Sequence, residues 1–302
     1  MLRWRIALGI LIVGVVIGLC WLDHVAPWPG MCLFPLLAVG VWMATGEVLD
    51  LARAGGIRPV KWTVYFANML IVSVAWVSSL YFFPVGREPE ASGYFSENYP
   101  TAPSNWILMA MALGVLLVFV AEMRRFERPG GVTVNVAAAV FAMVYLGVLL
   151  TFLIQLRMSW GIAGLVSVVL VTKMGDTGAY TVGRLFGRNK MAPGLSPGKT
   201  IEGAMGAIAA SVAASAFTFL WLVPAMNPEA NPTQWWGWVL FGVAVCIAGI
   251  MGDLAESLIK RDVEQKDSSK WIPGFGGVLD ILDSLLLASP VAYACWAFGL
   301  VG

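Results

Sequence analysis

The sequence predicts an all-α fold, a polytopic membrane helix bundle of about nine transmembrane helices running N-in/C-out. Three observations carry that reading. Apolar residues make up 59% of the chain and charged residues 12%, about half the charged share of an ordinary globular protein. Apolar runs of the roughly 20 residues that cross a hydrocarbon core of about 30 Å recur from end to end. The basic residues fall in alternate connections between those runs.

The runs place spans at 5–22, 31–52, 62–83, 105–122, 132–154, 159–181, 201–223, 235–258 and 278–300. In lipid every backbone N–H and C=O must be paired within its own segment, which favours helices for such stretches. A transmembrane barrel would alternate over segments of about 10 residues, and the sequence has no such pattern. Arg3 and Arg5 ahead of Ile6 to Trp21 have the look of a signal peptide. No A-x-A-like site follows and many spans do, so an uncleaved first helix is expected.

The connections carry Pro, Gly and charge: Pro27 to Gly30, Gly55 to Lys61, Pro84 to Ser104, Arg124 to Gly131, Gly183 to Thr200, Pro224 to Gln234, and Lys260 to Gly277. Sixteen of the 19 Lys/Arg residues fall at the N-terminus, 53–61, 124–131, 183–200 and 259–277. The opposite connections hold only Arg87 and Arg157, and Lys173 lies inside a span. By the positive-inside rule the sixteen mark the cytoplasmic face. Two regions follow: 1–155, N-terminal transmembrane helices without a motif, and 156–302, a C-terminal catalytic transmembrane region with cytoplasmic loops 183–200 and 259–277.

Several function classes drop out. A net charge of +1 gives no field for nucleic acid. Cys20, Cys32, Cys246 and Cys295 sit in or beside apolar runs without metal spacing and read as packing residues. The single histidine, His24, ends the first span, which argues against histidine-based catalysis. Glu47, Asp50, Asn68 and Glu122 lie near span ends, where a polar group reaches the interface cheaply, and are read as structural.

From the sixth span onward the character changes. Lys173 and Asp176 are three apart on one helix face, and an ionisable residue in a span is a functional candidate by default. The loop that follows ends in Ser196-Pro197-Gly198-Lys199-Thr200, then Ile201-Glu202-Gly203. The Gly-Lys-Thr fails as a P-loop, because three residues rather than four separate Gly194 from Gly198 and no strand precedes it. Hydroxyls, an ammonium and free N–H groups at a helix start still suit an anion.

Asp253, Glu256, Ser257 and Lys260 share one face at the end of the eighth span. Asp280 and Asp283 put two carboxylates in the first turns of the ninth. Like charges so placed are costly in lipid unless they pair with Lys260, Arg261 or Lys173, or hold a hard cation such as Mg²⁺. The metal reading is preferred.

At these residues the chain resembles the phosphatidate cytidylyltransferase (CDP-diacylglycerol synthase) family. The family signature resembles S-x-x-K-R-x(4)-K-D-x-S-x(2)-x-P-G-H-G-G-x-x-D-R-x-D. Ser257, Lys260, Arg261, Lys266, Asp267, Ser269, Pro273, Gly274, Gly276, Gly277, Asp280 and Asp283 match it in register over 27 residues. Asp176 to Tyr180 and Ser196 to Gly203 match a second family region, so the resemblance covers about 173–290. Phe275 and Ile281 stand where the family usually has His and Arg.

The resemblance implies that CTP and phosphatidic acid give CDP-diacylglycerol and pyrophosphate at the cytoplasmic face of a bacterial inner membrane. It implies Asp280, Asp283, Asp176 and Asp253 as ligands of one or two Mg²⁺ ions, with room for a monovalent ion. Catalytic roles fall to Asp253, Lys260, Arg261, Lys266 and Asp267. Substrate binding falls to Lys173, Ser196, Lys199, Thr200, Ser257, Gly276 and Gly277. The partners expected are CTP, phosphatidic acid and membrane lipid, without nucleic acid, and a homodimer is admitted. The alternatives are a CTP-dependent polyprenol or phytol kinase, a CDP-archaeol-type synthase and a transporter; a transporter would place its binding groups near the midplane of paired repeats.

Overall fold

A computed structural model describes residues 2–82, 103–127, 129–226, 233–269, 271 and 276–301. It is helical almost throughout. In chain order it has α1 (Leu2–Val25), α2 (Leu33–Ala54), α3 (Lys61–Phe82) and α4 (Pro103–Arg124). Then come α5 (Val132–Phe186), a hairpin of β1 (Lys190–Ala192) and β2 (Ser196–Thr200), α6 (Ile201–Met226), α7 (Trp235–Asp262) and α8 (Leu279–Ala297). Among the described residues α2 to α8 are the seven helices long and apolar enough to cross a membrane, which makes the protein a polytopic helical membrane bundle.

The expected spans 132–154 and 159–181 lie in one helical run of 55 residues. At 1.5 Å per residue the parts before and after a break at 160–161 are each about 40 Å long, each enough to cross a core of about 30 Å. The backbone of the run leaves helical geometry at Trp160 and at Gly161, whose φ is 68° and ψ −161°. Only glycine adopts that conformation without cost. Arg157, read as lying in a connection, is therefore in the last turn before a kink.

The chain forms two compact units, Met1–Ser159 with Asp267–Leu279 and Trp160–Lys266 with Asp280–Gly302. In the first, α3 packs on α4 and α2 around fully buried Leu49, Ile71, Met143, Leu146 and Leu150. Several of its polar groups are paired within the unit. Asp23, fully buried, pairs with Arg157 at 2.6 Å and accepts the N–H groups of Gly30, Cys32 and Leu33 at the start of α2. Asn68 donates to Thr45 at 2.8 Å, Arg125 reaches Glu122 at 2.9 Å, and Lys61 pairs with Asp50 at 2.7 Å.

In the second unit α6 packs along α7. Trp160, Phe219, Phe241, Tyr293 and Trp296 stack into an aromatic cluster, with the Trp296 indole donating to Ser167 at 3.1 Å. Trp296 lies 13 residues beyond Asp283 on α8, about 20 Å at helical rise. The aromatic end anchors the helix whose other end carries the carboxylates.

Candidate active site

The site grows from three elements of the second unit: the last turns of α7, the first turns of α8 and the hairpin. On α7, Asp253, Glu256 and Lys260 recur at helical spacing and share a face. Gly252, one residue before Asp253, lies against the backbone of Asp283 and Ser284, where a Cβ would collide with the Asp283 carbonyl. Glycine there lets the two helices approach backbone to backbone. The approach brings one carboxylate oxygen each of Asp253, Glu256 and Asp283 within 4.8 Å of one another.

Around this cluster the charges are paired unequally. Lys260, buried, donates to Glu256 Oε2 and Asp280 Oδ1, each at 2.6 Å. Lys199, at the end of β2, pairs with Asp253 at 2.7 Å. Lys173 reaches Asp176 at 3.0 Å, the Ser284 hydroxyl at 3.0 Å and the Ile281 carbonyl at 3.2 Å. Asp283 is 9% exposed; it accepts the Ser284 N–H and has no ion-pair partner among the described residues. Glu256 is 1% exposed, and its Oε1 has no hydrogen-bond partner there. Asp176, Asp253, Glu256, Asp280 and Asp283 thus face three ammonium groups, leaving two negative charges when all are ionised.

A cavity of about 590 Å³ opens onto these groups. Asp176, Asp253, Asp280 and Asp283 line it from the helices, and Ser196, Lys199 and Thr200 from the hairpin; Lys173 and Arg184 complete its charged wall. The hairpin corrects one expectation, since a strand does precede the Gly-Lys-Thr helix start: Ser196–Thr200 is itself β2, paired antiparallel with β1. Thr200 caps α6, accepting the Gly203 N–H at 3.1 Å. Glu202 turns back onto the N–H groups of Arg188 at 3.1 Å and Asn189 at 3.2 Å. The turn is thereby fixed, and Lys199 is delivered to the cavity rather than to solvent.

The cavity therefore gathers Lys173, Asp176, Ser196, Lys199, Thr200, Asp253, Asp280 and Asp283 of the residues singled out in the sequence. It leaves others aside. Ser257 is buried on α7. Arg261 donates to the Leu195 carbonyl at 3.2 Å and the Gln265 carbonyl at 2.9 Å, tying the hairpin turn to the end of α7. Lys266 is exposed; Asp267, Gly276 and Gly277 belong to the first unit. Asp280 is taken by Lys260 and Asp176 by Lys173, so the three-carboxylate group is Asp253, Glu256 and Asp283. Glu256 was placed on the polar face of this helix in the sequence but given no role in the site, although it lies one turn from both Asp253 and Lys260. Ile281 contributes its carbonyl, and Phe275 lies outside the described residues, with Lys270, Pro273 and Gly274.

Fold and site together define a polytopic membrane protein with an acidic and basic cavity built on its last helices. The cytidylyltransferase family model matches residues 3–298, and the chain belongs to that family. It is 39% identical over 130 residues to the phosphatidate cytidylyltransferase of Haemophilus influenzae, covering 43% of this chain and 44% of the relative. It is 33% identical over 195 residues to that of Thermotoga maritima, 64% of this chain and 68% of the relative. With that of Mycobacterium bovis it shares 35% over 169 residues, 56% of this chain and 52% of the relative. The matched stretch thus spans 44% to 68% of the length of these relatives.

Proposed function

We propose that this chain is a CTP:phosphatidate cytidylyltransferase, converting CTP and phosphatidic acid to CDP-diacylglycerol and pyrophosphate. The observation that carries the reading is the three-carboxylate group of Asp253, Glu256 and Asp283, in which Asp283 makes no ion pair among the described residues and one Glu256 oxygen has no hydrogen-bond partner, beside a cavity lined by Asp253, Asp283, Lys173 and Lys199. Buried carboxylates with an unpartnered oxygen fit a hard divalent cation, which takes oxygen ligands and shares its shell with phosphate. Asp253, Glu256 and Asp283 would hold such an ion, Mg²⁺ in this reading. When bound, it supplies electrostatic stabilisation of charge on the phosphates.

A phosphate oxygen of the lipid forms the new bond to the α-phosphorus as the bond to the β-phosphate oxygen breaks. The electron pair leaves with pyrophosphate. The nucleophile is already anionic near neutral pH, so the chain needs no strong base, in keeping with its single histidine. Its task is to bring two polyanions together. Lys173 and Lys199 offer ammonium groups to the phosphate oxygens, and the hairpin supplies the Ser196 and Thr200 hydroxyls. Lys260 and Arg261 act as positioning residues, one holding Asp280 and Glu256, the other the hairpin turn. The alternating Lys/Arg distribution supports a site on the cytoplasmic face, N-in/C-out, with the lipid entering sideways from the bilayer.

Purified protein incubated with CTP, Mg²⁺ and phosphatidic acid tests this. CDP-lipid and pyrophosphate are expected in equal amounts, dependent on all three. Release of CDP instead would favour a lipid kinase, and no nucleotide-dependent product would return the chain to the transporter reading.

A further inference from the structure

Glu47 stands apart from the other acidic residues of the first unit. It lies within α2, is 3% exposed, and has no cation paired with it among the described residues. A bare carboxylate at such a place is costly. Its charge is met entirely by neutral donors from residues 221 to 232 positions away. Oε1 accepts the Ser269 hydroxyl at 2.8 Å and the Val278 N–H at 2.9 Å; Oε2 accepts the Ser268 hydroxyl and the Leu279 N–H, each at 2.8 Å. Each oxygen takes two bonds, which fills the carboxylate's acceptor capacity.

The four donors bracket one segment. Ser268 and Ser269 are near its start, and Val278 and Leu279 are at its end, where α8 begins. The first N–H groups of a helix lack intrahelical partners and carry the positive end of its dipole, so a carboxylate is their natural acceptor. Gly277 shows how close the clamp is: a Cβ there would collide with both the Ser268 hydroxyl and the Glu47 carboxylate. The next residue after Leu279 is Asp280, and Asp283 follows one turn later.

We propose that Glu47 is a positioning residue for the nucleotidyl-transfer site: its clamp on Ser268, Ser269, Val278 and Leu279 fixes where α8 starts, and so where that helix carries Asp280 and Asp283. This rests on the reading of the cavity given above. Every hydrogen bond of the clamp closes within the first unit, and its effect passes along the continuous backbone of α8. A side chain that only filled space in α2 would not need four donors, nor donors at both ends of one segment.

The test compares wild type, Glu47→Gln and Glu47→Asp in detergent or nanodiscs, all values normalised to folded protein. Backbone amide exchange across 278–284 is the readout independent of activity. In Glu47→Gln it is expected to speed up about tenfold or more, while exchange in 288–297 stays unchanged. Activity is expected to fall about 10- to 100-fold, as for residues that orient metal ligands. The Mg²⁺ concentration for half-maximal rate should rise, and Glu47→Asp, which keeps the charge, should fall between the two.

Unchanged exchange in 278–284 would overturn the clamp. Faster exchange with activity and Mg²⁺ dependence within twofold of wild type would overturn the positioning role, leaving Glu47 structural. A lowered Tm with wild-type kinetics in the surviving folded fraction would do the same. If wild type itself makes no CDP-lipid, the functional reading and the positioning role fall together, while the exchange data still decide the clamp.

Discussion

The first unit buries Asp23 and the second buries Glu256 and Asp283, yet the two groups of carboxylates are treated in opposite ways. Asp23 has a guanidinium at 2.6 Å and three backbone N–H groups, so its charge is met on every side. Glu256 shares its one lysine with Asp280 and keeps an oxygen without a partner, while Asp283 makes no ion pair among the described residues. A buried carboxylate that is fully satisfied is part of the scaffold. One held short of satisfaction, beside two others, is poised for a ligand. Residue type and burial do not separate the two roles; the count of partners does.

The comparison breaks most visibly at Arg157. Arg157→Met removes the guanidinium and leaves Asp23 as an uncompensated buried charge, a change that costs about 3–5 kcal/mol in other proteins. Three backbone donors remain, so the lower end of that range, about 3 kcal/mol, is expected. Denaturant or thermal unfolding in detergent would read it. The surviving folded protein should keep its kinetic constants within about twofold, because Arg157 lines no part of the cavity. A selective loss of turnover at unchanged stability would contradict the division into scaffold and site.

Asp283→Asn probes the other side. The shape is kept and one negative charge is lost from the three-carboxylate group. Turnover should fall about 10²- to 10³-fold, the range for removing one preorganised electrostatic element. Unlike Arg157→Met, the substitution should leave the Tm unchanged or raise it, because it relieves repulsion among Asp253, Glu256 and Asp283. Full retained activity would sink the metal assignment. Glu256→Gln comes next, at about 10- to 100-fold in activity, with a rise in the Mg²⁺ needed for half-maximal rate. It carries some stability cost as well, since Lys260 loses one of its two partners.

These residues also mark what the sequence could disclose. The membrane helices were legible because lipid imposes length and composition on every span, and Asp280 and Asp283 stood out because charge is rare there. The spacing 253, 256, 260 placed three polar groups on one face without saying which would pair. That depends on α8, brought against α7 at Gly252 by tertiary packing that no local pattern encodes. So Lys260 reaches both Asp280 and Glu256, and Glu256 lies with Asp253 and Asp283 in the three-carboxylate group. Glu47 was harder still, because its partners lie more than 220 residues away and its own surroundings look like any helix near an interface. The hairpin at 190–200 escaped because Gly, Pro and Lys in a short polar stretch read as loop until two strands are seen to pair.

The smallest effect is expected where a charge pair has neither burial nor convergence. Lys61 and Asp50 meet at 2.7 Å, but their side chains are 31% and 66% exposed. Water screens such a pair, and holding two flexible side chains together costs entropy, so Asp50→Asn should change stability by less than about 1 kcal/mol. Whatever it does contribute should vanish between low salt and about 0.5 M, where the Debye length drops to a few ångströms. Arg157→Met should keep its full effect at the same salt, because the Asp23 site is sealed from solvent. Measuring both substitutions at two salt concentrations therefore separates a contact that merely exists in the first unit from one that holds it together. An equal salt response would mean that water reaches Asp23 and that its satisfaction is less complete than its hydrogen bonds indicate.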